Sequence, residues 1–148
     1  LTANITKSVK ARIPVEFSQF VLFDYFGDAS VSDLERPANA DWVGCVGRGG
    51  AVFHASDQSI AAHIEFELWS EQPAVDDAAG ELARFEGRFT AESGRVILAS
   101  LTGSPSDVTI DLPTASSFAV RATRLGSSVD DEGRQNEAWR LLVWPVPE

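Results

Sequence analysis

An all-β protein, folded as a single-domain antiparallel β-sandwich of about eight strands with little or no helix, is what the residue pattern predicts. Three features point there. In Gly49 to Glu71 (GGAVFHASDQSIAAHIEFELWSE), Ile64, Phe66 and Leu68 fall on one face, and His63, Glu65 and Glu67 fall on the other. That period of two marks a half-buried strand. Later segments repeat the alternation with turn formers between them, and no stretch carries a convincing amphipathic-helix period.

The chain has 148 residues, 44% of them hydrophobic, enough to bury a core as one domain without disulfides or metals. Residues 1–10 are polar and mixed, expected as a loosely held arm, which leaves 11–148 as the sandwich. Ile13, Val15 and Phe17 alternate with Arg12, Pro14 and Glu16, and the proline suits an edge strand or a strand start. Phe20 to Phe26 is rich in aromatics, which predicts a strand buried on both sides or the same strand passing a bulge at Ser18-Gln19. Asp28 to Asp41 is a surface loop in which Ser32 and Glu35 could cap one helical turn before Pro37.

Gly44, Gly47, Gly49 and Gly50 suggest a phosphate cradle, but no G-x-x-x-x-G-K-[ST] is present and a strand rather than a helix follows. A turn with close backbone approach accounts for them better. Gly50 to His54 and the strand ending at Trp69 read as a hairpin joined through Ala55 to Ser59. Glu71 to Gly80 is an acidic connection. Glu81 to Thr90 and Arg95 to Leu101 flank a short hairpin turn at Ala91 to Gly94. Val108 to Leu112 and Phe118 to Thr123 alternate again. A charged loop, Gly126 to Asn136, precedes the last strand, Glu137 to Trp144.

Charge narrows the function. Twenty-two acidic residues against 12 basic ones give a net charge of -10, which disfavours direct binding to nucleic acid or anionic membrane and suits docking onto a basic protein. No run approaches the ~20 apolar residues of a membrane span. The start, LTANITKSVKAR, has no apolar signal-peptide core, so a cytoplasmic location is the default expectation; a processed start, given the missing initiator methionine, leaves export open. Cys45, the one cysteine, reads as a small packed residue.

Chemistry has few places to reside. His54, Asp57 and His63 would hold a metal only if they converge, and their spacing matches no recognised ligand pattern. Glu65 and Glu67 lie ~6.6 Å apart along one strand face, near a glycosidase separation, but alternating acids are how a sandwich keeps one side wet. No G-x-S-x-G elbow occurs. The expectation is a non-enzymatic protein with no cofactor. Trp69 and Trp144, opposite the main apolar rows, and Trp42 at a loop edge mark either an interface or a second covered layer.

The order of segments resembles the small bacterial family named for competence protein J, also described as the inhibitor of the DNA-entry nuclease. VEFSQFVLFDYFGD, GGAVFHASDQSIAAHIEFELWSE, RFEGRFTAESGRVILASL, VTIDLPTASSFAVRATR and WRLLVWPVP carry the resemblance, over about residues 13 to 147. It implies a cytosolic or cell-envelope β-protein that binds and restrains a nuclease during DNA uptake. It carries over no functional-residue motif. The contact residues read from the sequence itself are Trp69, Glu65, Glu67, Glu71, Asp76 and Asp77; these five acids with Glu81 form one of three acidic groups. The others are Asp24, Asp28, Asp33, Glu35 and Asp41, and Asp130 to Glu132. The competing expectation is a β-sandwich interaction module that self-associates through an edge strand or joins a larger complex.

Overall fold

The computed structural model describes residues 3–58, 60–75, 81–115 and 117–147. They form ten strands: β1 (Ile5–Pro14), β2 (Gln19–Asp24), β3 (Gly44–Gly47), β4 (Gly50–His54), β5 (Ala61–Trp69), β6 (Ala83–Thr90), β7 (Arg95–Ser100), β8 (Val108–Asp111), β9 (Ser117–Val129) and β10 (Gln135–Pro145). A first sheet has the order β1-β5-β10-β9-β6 and a second the order β3-β4-β2-β7-β8. The all-β sandwich is as expected. Among the described residues the helical element is a 3-10 turn, Val31–Asp33, capped by Ser30, whose Oγ accepts from the Ser32 N–H, rather than by Ser32 itself.

Four expectations need correction. β4 and β5 do not pair: β4 belongs to the second sheet and β5 to the first. The reason lies in their burial. Gly50 to Phe53 are buried without alternation, as a strand covered on both faces must be, whereas β5 alternates wet and dry. The connection at Ala55 therefore crosses between sheets, pinned by Glu137, which accepts from the Ser56 N–H at 3.2 Å and from its hydroxyl. β6 and β7 likewise lie in different sheets. Asp24 holds their connection through the Glu92 N–H (2.9 Å) and through the Ser93 N–H and hydroxyl. One pair, β5 with β10, is parallel. Finally, Ile5 to Lys10, expected in a loose arm, are the first half of β1, paired with β5 from Ile5↔Trp69 to Pro14↔Ala61.

The core between the sheets is led by Trp139, Phe20, Phe53 and Phe66, each essentially inaccessible to solvent. Phe20 meets Trp139 edge-on at 5.0 Å between centroids, a favoured aromatic geometry, and Trp139 Nε1 donates to Glu137 Oε1 at 2.8 Å. Along one side the sheets close on each other. A Cβ on Gly44 would stand 2.8 Å from the Phe85 ring, so this glycine lets β3 approach β6. Gly50, with φ +149, has Leu22 O only 2.1 Å from where a Cβ would be, which confirms the close-approach reading of the glycine run.

Each sheet also has a second, outer layer. Over the second sheet lies a strap, residues 25–43, whose Val31, Leu34 and Trp42 pack on Val21, Val52, Ala99 and Cys45. Cys45 is therefore a packed residue, and burial pushes its thiol pKa up. Over the first sheet, Trp69 and Val146 pack on Ala119, Leu142 and Trp144.

Candidate functional site

The outer face of the first sheet carries the residues expected to meet a partner. β5 presents His63, Glu65, Glu67 and Trp69 outward. Glu65 faces Lys10 across the β1 pairing and ion-pairs with it at 3.8 Å. Glu67 accepts from Arg140 at 3.0 Å and from the Trp69 indole at 3.2 Å. Glu71 is half-buried and lines a groove of about 980 Å³ with Glu86, Arg88 and Trp144. Asp76 and Asp77 lie outside the described residues.

So the structure brings Glu65, Glu67 and Trp69 together, but with cations supplied by β1 and β10. Further along the face, Arg121 is buried; it donates to Glu86 at 3.0 Å and to the carbonyls of Pro73 and Ala74, both at 3.3 Å. Its guanidinium stands 5.2 Å from the centre of the Trp144 ring. These groups hold the outer layer in place and present mixed charge.

His54 and His63 do not converge. His54 projects from the second sheet, stacked on Trp42 at 4.5 Å with Nδ1 2.9 Å from the Trp42 carbonyl. His63 is exposed on the first sheet, paired in register with Arg12. Among the described residues no group of three or more His, Cys, Asp or Glu is placed to hold a metal ion. Nor is any helix among them long and apolar enough to cross a membrane.

The second sheet's outer face is different. Asp28, Asp33, Glu35 and Asp41 are exposed on the strap and enter none of the ion pairs among the described residues. The strap's one cation, Arg36, is turned inward: its Nη1 donates to the Val31 and Leu34 carbonyls at 2.8 and 2.7 Å and its Nε to Gln19 at 3.2 Å. Beside the acids runs a groove of about 780 Å³, lined by Phe23, Tyr25, Phe26, Val31 and Leu101. Tyr25 and Phe26 meet edge-on at 4.5 Å, and Phe26 is 77% exposed. Uncompensated acids thus stand next to exposed aromatic surface.

At the opposite end of β2 a two-residue loop carries a third exposed aromatic, Phe17. Phe17 and Ser18 have φ of 53 and 62, and such left-handed non-glycine residues cost on the order of 1–3 kcal/mol each. Glu16 accepts from the Thr102 hydroxyl and from its N–H at 2.9 Å, and these bonds hold its carboxyl below the usual range. The acidic group expected at Asp24, Asp28, Asp33, Glu35 and Asp41 is exposed except at Asp24, which is buried and holds the β6–β7 connection. Phe17 and the Tyr25–Phe26 pair were hidden because a strand-like run of aromatics reads as core.

In overall shape the chain is similar to the crystal structure of ComJ, inhibitor of the DNA degrading activity of NucA, from Bacillus subtilis. The TM-score is 0.63 at 14% identity, over 99% of this chain and 100% of that one. It is also similar to the protein described as crocagin biosynthetic gene J, with a TM-score of 0.61 at 10% identity, over 99% and 100% of the two chains. No family model and no curated protein matches the sequence. At these identities the likeness is one of fold, and the fold is the one that the competence protein J resemblance implied.

Proposed function

We propose that this chain is a non-enzymatic binding protein that restrains a basic partner, a DNA-degrading nuclease, through the strap face of its second sheet. The observation that carries the reading is the set of four exposed strap acids, outside every ion pair among the described residues, beside the Tyr25–Phe26 surface. A nuclease holds a polyanion on basic surface, and an acidic face steers onto such a surface and covers it. The net charge of -10 adds to the steering, and the full-length likeness in fold to a nuclease inhibitor supports the same conclusion. Contact lies on the strap rather than around Trp69 because Lys10 and Arg140 already compensate Glu65 and Glu67.

The test is a DNA-degradation assay with NucA and increasing amounts of this protein at low and at moderate salt. Stoichiometric loss of cleavage that weakens as salt rises is expected. Undiminished cleavage in a large excess of the protein at low salt, with no complex on size-exclusion chromatography, would overturn the reading.

A further inference from the structure

The loop between β1 and β2 carries residues that its own geometry disfavours. Glu16 and Gln19 exchange backbone N–H···O bonds at 3.1 and 2.9 Å, which leaves Phe17 and Ser18 as the two central residues of a tight turn. With φ positive at both, it is a type I′ turn, the geometry that Asn-Gly fills without strain. A bulky aromatic at positive φ is an outlier.

The surroundings hold the turn in this state. The Ala55 N–H donates to Ser18 O at 2.7 Å, Gln19 Nε2 donates to Phe17 O at 3.3 Å, and the Thr102 N–H clamps Glu16. Gln19 in turn accepts from Arg36 of the strap, so turn and strap are braced as one surface. The Phe17 ring is 74% exposed. Core packing therefore does not account for the phenylalanine, and local turn preference opposes it.

We propose that Phe17 is a pre-positioned anchor, inserted by its rigid turn into an apolar pocket with a basic rim on the nuclease partner. This rests on the reading that the strap face meets such a partner, and it adds the residue that would dominate the contact. Hot spots are large, well-packed side chains ringed by near-neutral contacts that exclude water, and a turn already fixed by hydrogen bonds loses little freedom on binding. Glu16, next to Phe17 in the chain, supplies complementary charge for a basic rim, and the Gln19–Arg36 bond ties the turn to the strap that carries the other acids.

The experiment compares wild type with Phe17→Gly and Phe17→Ala. Phe17→Gly relieves the left-handed backbone and is expected to raise the melting temperature by a few degrees. It is also expected to weaken the complex with NucA at least tenfold, mainly through faster dissociation. Phe17→Ala keeps the positive φ, so it should weaken the complex as much without the gain in stability. Opposite movements of stability and affinity cannot come from damage to the fold. Unchanged affinity in Phe17→Gly, or a lowered melting temperature, overturns the anchor while leaving the strap reading intact. Absence of any complex with the wild-type protein overturns both.

Discussion

Arg36 reaches from the strap to Gln19 at the start of β2, Nε to Oε1 at 3.2 Å, and with its other bonds to Val31 O and Leu34 O it fixes the strap on the second sheet. The strap's one positive charge is thereby turned to internal carbonyls, which leaves its four acids exposed and outside the ion pairs among the described residues. Acidity at this surface follows from one side chain's orientation as much as from composition.

Removing that brace has a defined cost. Hydrogen bonds from a charged donor contribute about 1.5–3 kcal/mol, so Arg36→Ala is expected to destabilise the protein by about 2–3 kcal/mol in urea unfolding. Amide exchange should accelerate first at Leu34, whose N–H bonds to Val31 O. A uniform loss of protection across both sheets would contradict the assignment.

Charge reversal separates the two faces. Asp33→Lys together with Glu35→Lys should slow association with a basic nuclease about tenfold at low salt and flatten its salt dependence. Glu65→Gln removes an acid whose side chain is 58% exposed beside Lys10, and such surface pairs are worth about 0–1 kcal/mol, so stability and association rate should hardly change. Stopped-flow association measured at two ionic strengths checks both; equal effects from the two faces would argue against the strap as the contact.

Arg121 tests the outer layer of the first sheet. Its side chain is 4% exposed, while that of Glu86 is 43% exposed. Glu86 can therefore regain water in Arg121→Ala, but the carbonyls of Pro73 and Ala74 lose their donor. The expected loss is about 2–4 kcal/mol, smaller than for a fully buried ion pair broken at one end. Arg121→Met fills the space over Trp144 but gives neither carbonyl a donor, so in the same denaturation measurement it should recover only the packing part of that loss.

Asp130 governs part of the acid limb of stability. Its carboxyl accepts from the Arg134 N–H first, then from the Asn136 side chain and the Glu132 N–H, and its pKa is lowered from 3.8 to about 2. An acid depressed on folding adds stability above its unfolded pKa and loses it as pH falls through the folded one. Asp130→Asn should therefore be less stable than wild type at neutral pH, with the gap closing between about pH 4 and pH 2. A gap that stays constant down to pH 2, or a carboxyl resonance titrating near 4, would refute the assignment.

Much of the sandwich was legible because burial on one face leaves a two-residue period in any strand. β5 reads correctly residue by residue, from Ala62, Ile64, Phe66 and Leu68 inward to His63 and Glu65 outward. The hairpins did not read correctly, because Ala55-Ser56-Asp57 and Ala91 to Gly94 are equally good turns for a hairpin or for a crossing between sheets. What decides is whether the strands on either side are wet on one face or covered on both, and for β4 the cover is a strap drawn from elsewhere in the chain. The charge balance of the first sheet's outer face was hidden in the same way: Glu65 and Glu67 look uncompensated until β1 brings Lys10 and β10 brings Arg140.

What the residue order determined by itself was local: which side chains along each strand face the interior, where the chain must turn, and that the whole carries a large negative charge. Those follow from covalent geometry and composition, which act over a few residues or over none in particular. Which strands became neighbours, which acids kept their charge uncompensated, and how Phe17 came to stand in solvent on a left-handed turn were decided by pairings between distant segments. Hydrogen bonds and ion pairs form across space, and only the packed tertiary structure sets which partners lie within about 3 Å of each other.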